Sequence, residues 1–189
     1  MKWRIPGTVL QIERENADGV EEMFSSMFLA GGMVLSQVAS ITGLEPHTVQ
    51  NWVKRGYLTP PQKKKYTQRQ LCRILIINML RSCMQLDKID FLIHYINGEG
   101  GNESDDIIRD SELYDYICRI LDALVEQNQC SFSSIRTVIE QQTAGYTEVM
   151  EGARERLTDA LEAIVVAYYA TLIKTRSDAL VNRLVGNRE

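Results

Sequence analysis

Apolar side chains recur at helical spacing along most of the chain. Val20, Met23, Phe24, Met27 and Phe28 mark a short amphipathic helix ahead of the Gly31-Gly32 pair. Leu35 to Ile41 reads as a second helix that ends at Gly43; Pro46 then stands where the first residue of a third would, and Gly56 stops it. Thr67-x-x-Gln70 is a capping box that opens a long helix to about Met84. Its Leu71, Ile74, Leu75, Ile77, Met79 and Leu80 cover a broad face, as a core helix requires. Leu86 to Tyr95 predicts another helix, closed by Asn97-Gly98. Beyond a Gly-rich, acidic stretch from Asn97 to Asp106 the pattern is helical again. Leu113, Tyr116, Ile117, Ile120, Leu121 and Leu124 form one face, and a second segment runs from about Tyr146 to Leu184. Within it Ala160 to Ile173 is apolar nearly all round, the mark of a helix enclosed by neighbours or by a second subunit. Residues 1 to 16 give no firm pattern, and the one hairpin signal is Tyr57 to Tyr66.

Two of these helices have the spacing of a helix-turn-helix. Val38, Ala39, Leu44, Val49 and Trp52 fall where two short helices must approach closely, and Gly43 can take the positive φ of the tight turn between them. The expected fold is therefore all-α, mainly helical. Residues 1–98 would form a winged helix-turn-helix with a small wing hairpin, and residues 99–189 a helical bundle for dimerisation or effector response.

Charge sharpens this reading. Pro46 to Leu86 contains eight Lys or Arg and no Asp or Glu, whereas the remainder holds thirteen basic and twenty-five acidic residues, so +8 is set into −12. A polyanion is attracted by the first part and repelled by the second. The spacing that buries Val49 and Trp52 turns His47, Gln50, Asn51 and Lys54 outward. Gln and Asn suit bidentate bonds to an adenine edge, and Lys suits guanine or a phosphate. Thr48, Arg55, Lys63, Lys64, Lys65, Arg69 and Arg73 are candidates for contacts to the nucleic-acid backbone. Tyr66 could add a hydroxyl contact or pack as an aromatic under the wing. If half of the sixteen basic groups of a dimer met phosphate, log affinity would fall with log salt at a slope of about −7.

The stretches Leu35-Ser-Gln-Val-Ala-Ser-Ile-Thr-Gly-Leu44, Thr48-Val-Gln-Asn-Trp-Val-Lys-Arg-Gly-Tyr-Leu58 and Tyr66-Thr-x-x-Gln-Leu71 resemble the winged helix-turn-helix of MerR-type regulators. The helices Ile74 to Leu80 and Leu86 to Ile96 follow in that family's order. Within it the chain looks most like an uncharacterised group of Gram-positive bacteria in which Asn51-Trp-Val-Lys-Arg-Gly56, Lys63-Lys-Lys-Tyr66 and Ser104-Asp-Asp-Ile-Ile108 recur. The resemblance covers about residues 30 to 125. It implies a transcriptional regulator that binds an inverted repeat of duplex DNA as a homodimer through its C-terminal helices. Two departures stand out: Gln50-Asn51 replaces the usual arginine and tyrosine of the second helix, and the cysteine ligands of metal-sensing members have no counterpart.

Other classes find less support. A protein-interaction adaptor with a winged fold and no sequence-specific DNA binding is the alternative function. An enzyme is not expected, because no nucleophile elbow, phosphate loop or His/Cys pair occurs. Cys72, Cys83, Cys118 and Cys130 include no Cys-x-x-Cys pair and His47 and His94 stand apart, so neither a metal nor a cofactor is expected. Cys72 and Cys83 fall in apolar helical patterns, as small hydrophobes would. The longest nearly apolar run, Ala163 to Ile173, is about half the ~20 residues of a membrane span, and no secretory signal is visible, which points to the cytoplasm. A small-molecule effector is left open, with Met150, Phe132, Tyr168 and Tyr169 as candidate lining, against the alternative that these are ordinary core.

Overall fold

The computed structural model describes residues 2–13, 20–29, 31–97, 106–126 and 132–186, apart from the side chains at 21, 132 and 133. The expected domain boundary after residue 98 lies outside the described residues, as does most of the Asn97 to Asp106 connection. The chain is mostly helical. In order it forms β1 (Lys2–Arg4), β2 (Gln11–Glu13), α1 (Val20–Met27), β3 (Met33–Val34), α2 (Leu35–Thr42), α3 (Pro46–Lys54), β4 (Lys65–Tyr66), α4 (Gln68–Leu80), α5 (Leu86–Asn97), α6 (Asp110–Glu126), α7 (Phe132–Gln142) and α8 (Ala153–Gly186).

The centre is α4, buried from Gln70 through Ile77 and again at Met79 and Leu80. It packs against α2, α5, α6 and α8, so one apolar cluster runs from Ile5 to Ala167. The capping box forms as expected: Thr67 Oγ1 accepts from Gln70 N at 3.2 Å, and Gln70 Oε1 accepts from Thr67 N at 2.9 Å. The helix ends four residues earlier than the apolar pattern suggests. Arg81 to Met84 form a turn, which leaves Cys83 exposed while Cys72 is buried.

The first residues, which carry no clear sequence signal, form an antiparallel hairpin that pairs Trp3 with Ile12. Its turn is seated in the body of the protein. Tyr114 Oη donates to Pro6 O at 2.6 Å, and Asn78 Nδ2 donates both to Gly7 O at 2.8 Å and to Thr42 O at 3.0 Å. A Cβ at Gly7 would lie 2.4 Å from Leu75 O, so only glycine permits this approach to α4.

The segment Ala160 to Ile173 is not enclosed along its whole length. Leu157, Leu161, Ile164 and Val165 are buried, whereas every residue from Leu172 to Gly186 is exposed. Helix α7 is an addition to the elements expected from the sequence. Ile135, Val138 and Ile139 bury its inner face, and Arg136 on α7 pairs with Asp159 and Glu162 of α8.

Candidate nucleic-acid interface

Helices α2 and α3 meet across Gly43, whose φ of 70° lies in the left-handed region, with its N–H donated to Ala39 O at 2.8 Å. A side chain there would also strike Val9, since a Cβ would lie 2.5 Å from Cγ1. Val38, Leu44, Val49 and Trp52 are buried in the joint, and Ala39 is partly buried. At the far end of α3, Gly56 N donates to Val53 O and Tyr57 N to Trp52 O, the paired bonds of a Schellman stop.

With Val49 and Trp52 turned inward, His47, Gln50, Asn51 and Lys54 are exposed and Thr48 is half-buried. Arg55 is exposed but held: its guanidinium lies 4.8 Å from the Tyr57 ring centroid, and Nη2 donates to Tyr57 Oη at 2.7 Å. Tyr57 Oη donates in turn to Asp87 Oδ1 on α5. That bond, together with burial, pushes the Tyr57 phenol above its ordinary pKa.

The hairpin differs from the Tyr57 to Tyr66 unit expected. Its second arm, β4, also pairs with β3, Met33 opposite Tyr66 and Val34 opposite Lys65, so a strand from just before α2 lies beside the hairpin. The tip is a four-residue turn in which Gln62 bridges to Lys65 and Lys65 N donates to Gln62 O at 2.8 Å. Lys63 and Lys64 occupy its centre with φ of 47° and 62°. Two positive φ values in succession are those of a type I′ turn, where Asn-Gly is usual, and each costs a residue with a side chain about 1–2 kcal/mol. Gln70 anchors the hairpin to α4 by donating from Nε2 to Thr59 O at 2.8 Å and Thr59 Oγ1 at 3.0 Å.

Between α3 and the hairpin tip lies a groove of about 590 Å³ whose walls include Gln50, Val53, Ser36, Pro61 and Lys64. Exposed Lys63 and Lys65 stand beside Lys64 at the tip. Tyr66 lines the same groove but exposes little of itself. It is 3 % exposed and burial pushes its phenol up, so the packing alternative describes it.

Arg69 and Arg73 are the clear corrections to the candidate set. Arg69 Nε meets Asp110 Oδ2 at 2.9 Å and Nη2 meets Asp106 Oδ2 at 2.7 Å, while Arg73 Nη2 meets Asp110 Oδ1 at 3.3 Å. Asn97 Nδ2 adds a bond of 3.1 Å to the same carboxylate. Asp110 is 1 % exposed and Arg73 7 %, so this cluster joins α4, α5 and α6 and holds Arg73 away from phosphate, while Arg69, half-buried, is committed to two carboxylates. The acids lie 37 to 41 positions further along, beyond the reach of local pattern.

The effector lining is also rearranged. Tyr168 and Tyr169 are half-buried neighbours on α8, Met150 is exposed in the preceding loop beside Arg156, and the Phe132 side chain lies outside the described residues. Among the described residues no group of three His, Cys, Asp or Glu could hold a metal ion, and no helix is long and apolar enough to cross a membrane.

A family profile described as a domain of unknown function, DUF1836, matches residues 28–117, from the end of α1 into α6. The chain is also similar to the uncharacterized protein YkrK of Bacillus subtilis (strain 168), with 29 % identity over 115 residues, which cover 58 % of this chain and 49 % of that protein. It thus spans about half the length of this curated relative. No solved structure matches the chain.

Proposed function

We propose that this chain is a DNA-binding regulator of MerR-like type, acting as a homodimer on an inverted repeat. The observation that carries the reading is a groove lined by no Asp or Glu: on one side α3 presents His47, Gln50, Asn51 and Lys54, and the turn at Lys63 and Lys64 stands across from it. In this reading α3 enters the major groove as the second helix of a helix-turn-helix, and the turn from Gln62 to Lys65, backed by the β3–β4 pair, is the wing, its lysines on the flanking phosphates. One short helix reads few base pairs, so a symmetric pair is needed. The second copy would cover the exposed end of α8.

With Arg69 and Arg73 engaged internally, six basic groups per chain remain in the window. Half of a dimer's twelve on phosphate gives a slope of about −5 instead of −7. Selection of bound duplexes from a random pool is expected to return a two-fold symmetric site, and Gln50→Ala with Asn51→Ala to abolish its preference. Failure to select any site, with binding that hardly changes between low and moderate salt, would refute DNA reading by this surface. That outcome is the one expected of the adaptor, which the internal use of Arg69 and Arg73 favours.

A further inference from the structure

Where α8 leaves the body of the protein it closes one side of a second cavity, of about 330 Å³. The other walls are the N-terminal turn around Gly7, the end of α2 at Thr42 and Gly43, and the end of α4 from Asn78 to Arg81. Such a volume lies at the small end of ligand sites. It suits a compact molecule.

The charge on these walls has one sign. Arg4 and Arg81 line the cavity and no Asp or Glu does, although the chain carries a net charge of −4. Arg4 and Arg81 are exposed, and each guanidinium is tethered through Nε: Arg4 Nε donates to Thr8 O at 2.8 Å and Arg81 Nε to Asn78 Oδ1 at 3.0 Å. These bonds orient the two forks and leave their terminal nitrogens without a carboxylate partner among the described residues. Tyr168 faces the same space. Burial pushes its phenol up, and the neighbouring Arg4 charge offsets part of that rise. Thr175, exposed on α8, completes the rim.

An oriented guanidinium fork holds carboxylate or phosphate oxygens in pairs, and two forks in one small cavity select a compact anion over a neutral or cationic molecule. We propose that this cavity binds a small organic anion bearing a carboxylate or phosphate, held by Arg4 and Arg81 with the hydroxyl of Tyr168 as a further contact. The occupant would bridge four segments, including the turn that leads into α3. Binding itself does not depend on the DNA reading, because it is measured without nucleic acid.

The test titrates the full chain with inorganic phosphate, succinate and citrate at an ionic strength fixed with sodium chloride, following the thermal midpoint and tryptophan fluorescence. At least one anion is expected to raise the midpoint saturably, by about 2–4 °C or more. Arg4→Gln and Arg81→Gln should each weaken that anion about tenfold or more. Lys88→Gln, which removes the same charge from an exposed site on α5, should leave it unchanged. Thr175→Glu brings a carboxylate to the rim of the cavity at a helix position that favours glutamate, and should block the anion while the free protein still melts cooperatively. A response to phosphate alone assigns a phosphoryl ligand; a response to succinate or citrate alone assigns a carboxylate. No saturable response to any of the three, or equal weakening by Lys88→Gln, overturns the proposal.

Discussion

Asp110 decides what two of the basic side chains can do. Its carboxylate receives Arg69, Arg73 and Asn97 in a site shielded from water, and Arg73 has little exposure of its own. Removing one member of a buried ion pair leaves the other charge without compensation, which typically costs about 3–5 kcal/mol. Asp110→Ala is therefore expected to destabilise the protein by about 3–5 kcal/mol in urea unfolding, far more than Lys63→Ala at the hairpin tip. A loss below about 1 kcal/mol would mean that Arg73 finds solvent once its partner is gone. The positive charge of the two arginines was plain in the sequence. That it is neutralised internally was not, because the partner acids are distant in the chain and only packing of α6 on α4 brings them near.

Among elements, the hairpin holds the sharpest conflict between local preference and position. Lys63 and Lys64 both adopt left-handed backbone conformations, which an Asn-Gly pair would adopt with little strain. Lys63→Asn with Lys64→Gly should raise stability by about 1–2 kcal/mol. The same change should weaken duplex binding and flatten its salt dependence, measured as the slope of log affinity against log salt, by about one unit for each phosphate no longer engaged. Greater stability with unaltered DNA affinity would remove the tip from the interface. The α2–α3 pair was legible because its packing residues are close together and Gly43 punctuates them. The hairpin's true pairing was not, since β3 is two residues long and has no alternation to read. Helix α7 could have been found from Ile135, Val138 and Ile139, which stand at helical spacing between polar residues.

For the whole molecule, α8 is the exceptional part. Its 34 residues make a rod of roughly 51 Å, and the stretch from Leu172 to its end is exposed throughout. Ile173, Leu180 and Leu184 line one side of that end, with exposures of 70 %, 37 % and 64 %. A stripe of this kind suits a second helix. Sedimentation should therefore find the full chain dimeric and a chain ending at Thr171 monomeric, with the same helical body; a monomeric full chain would sink the homodimer. The N-terminal turn bears on how this body comes into being. Pro6 is bonded to Tyr114, 108 positions later. At ribosomal rates of ~5–20 residues per second, the first hairpin must wait roughly 5–20 s for that partner to be synthesised. The turn at Pro6 thus cannot reach its native seat until Tyr114 has been made, which makes its docking a late event in the birth of the molecule.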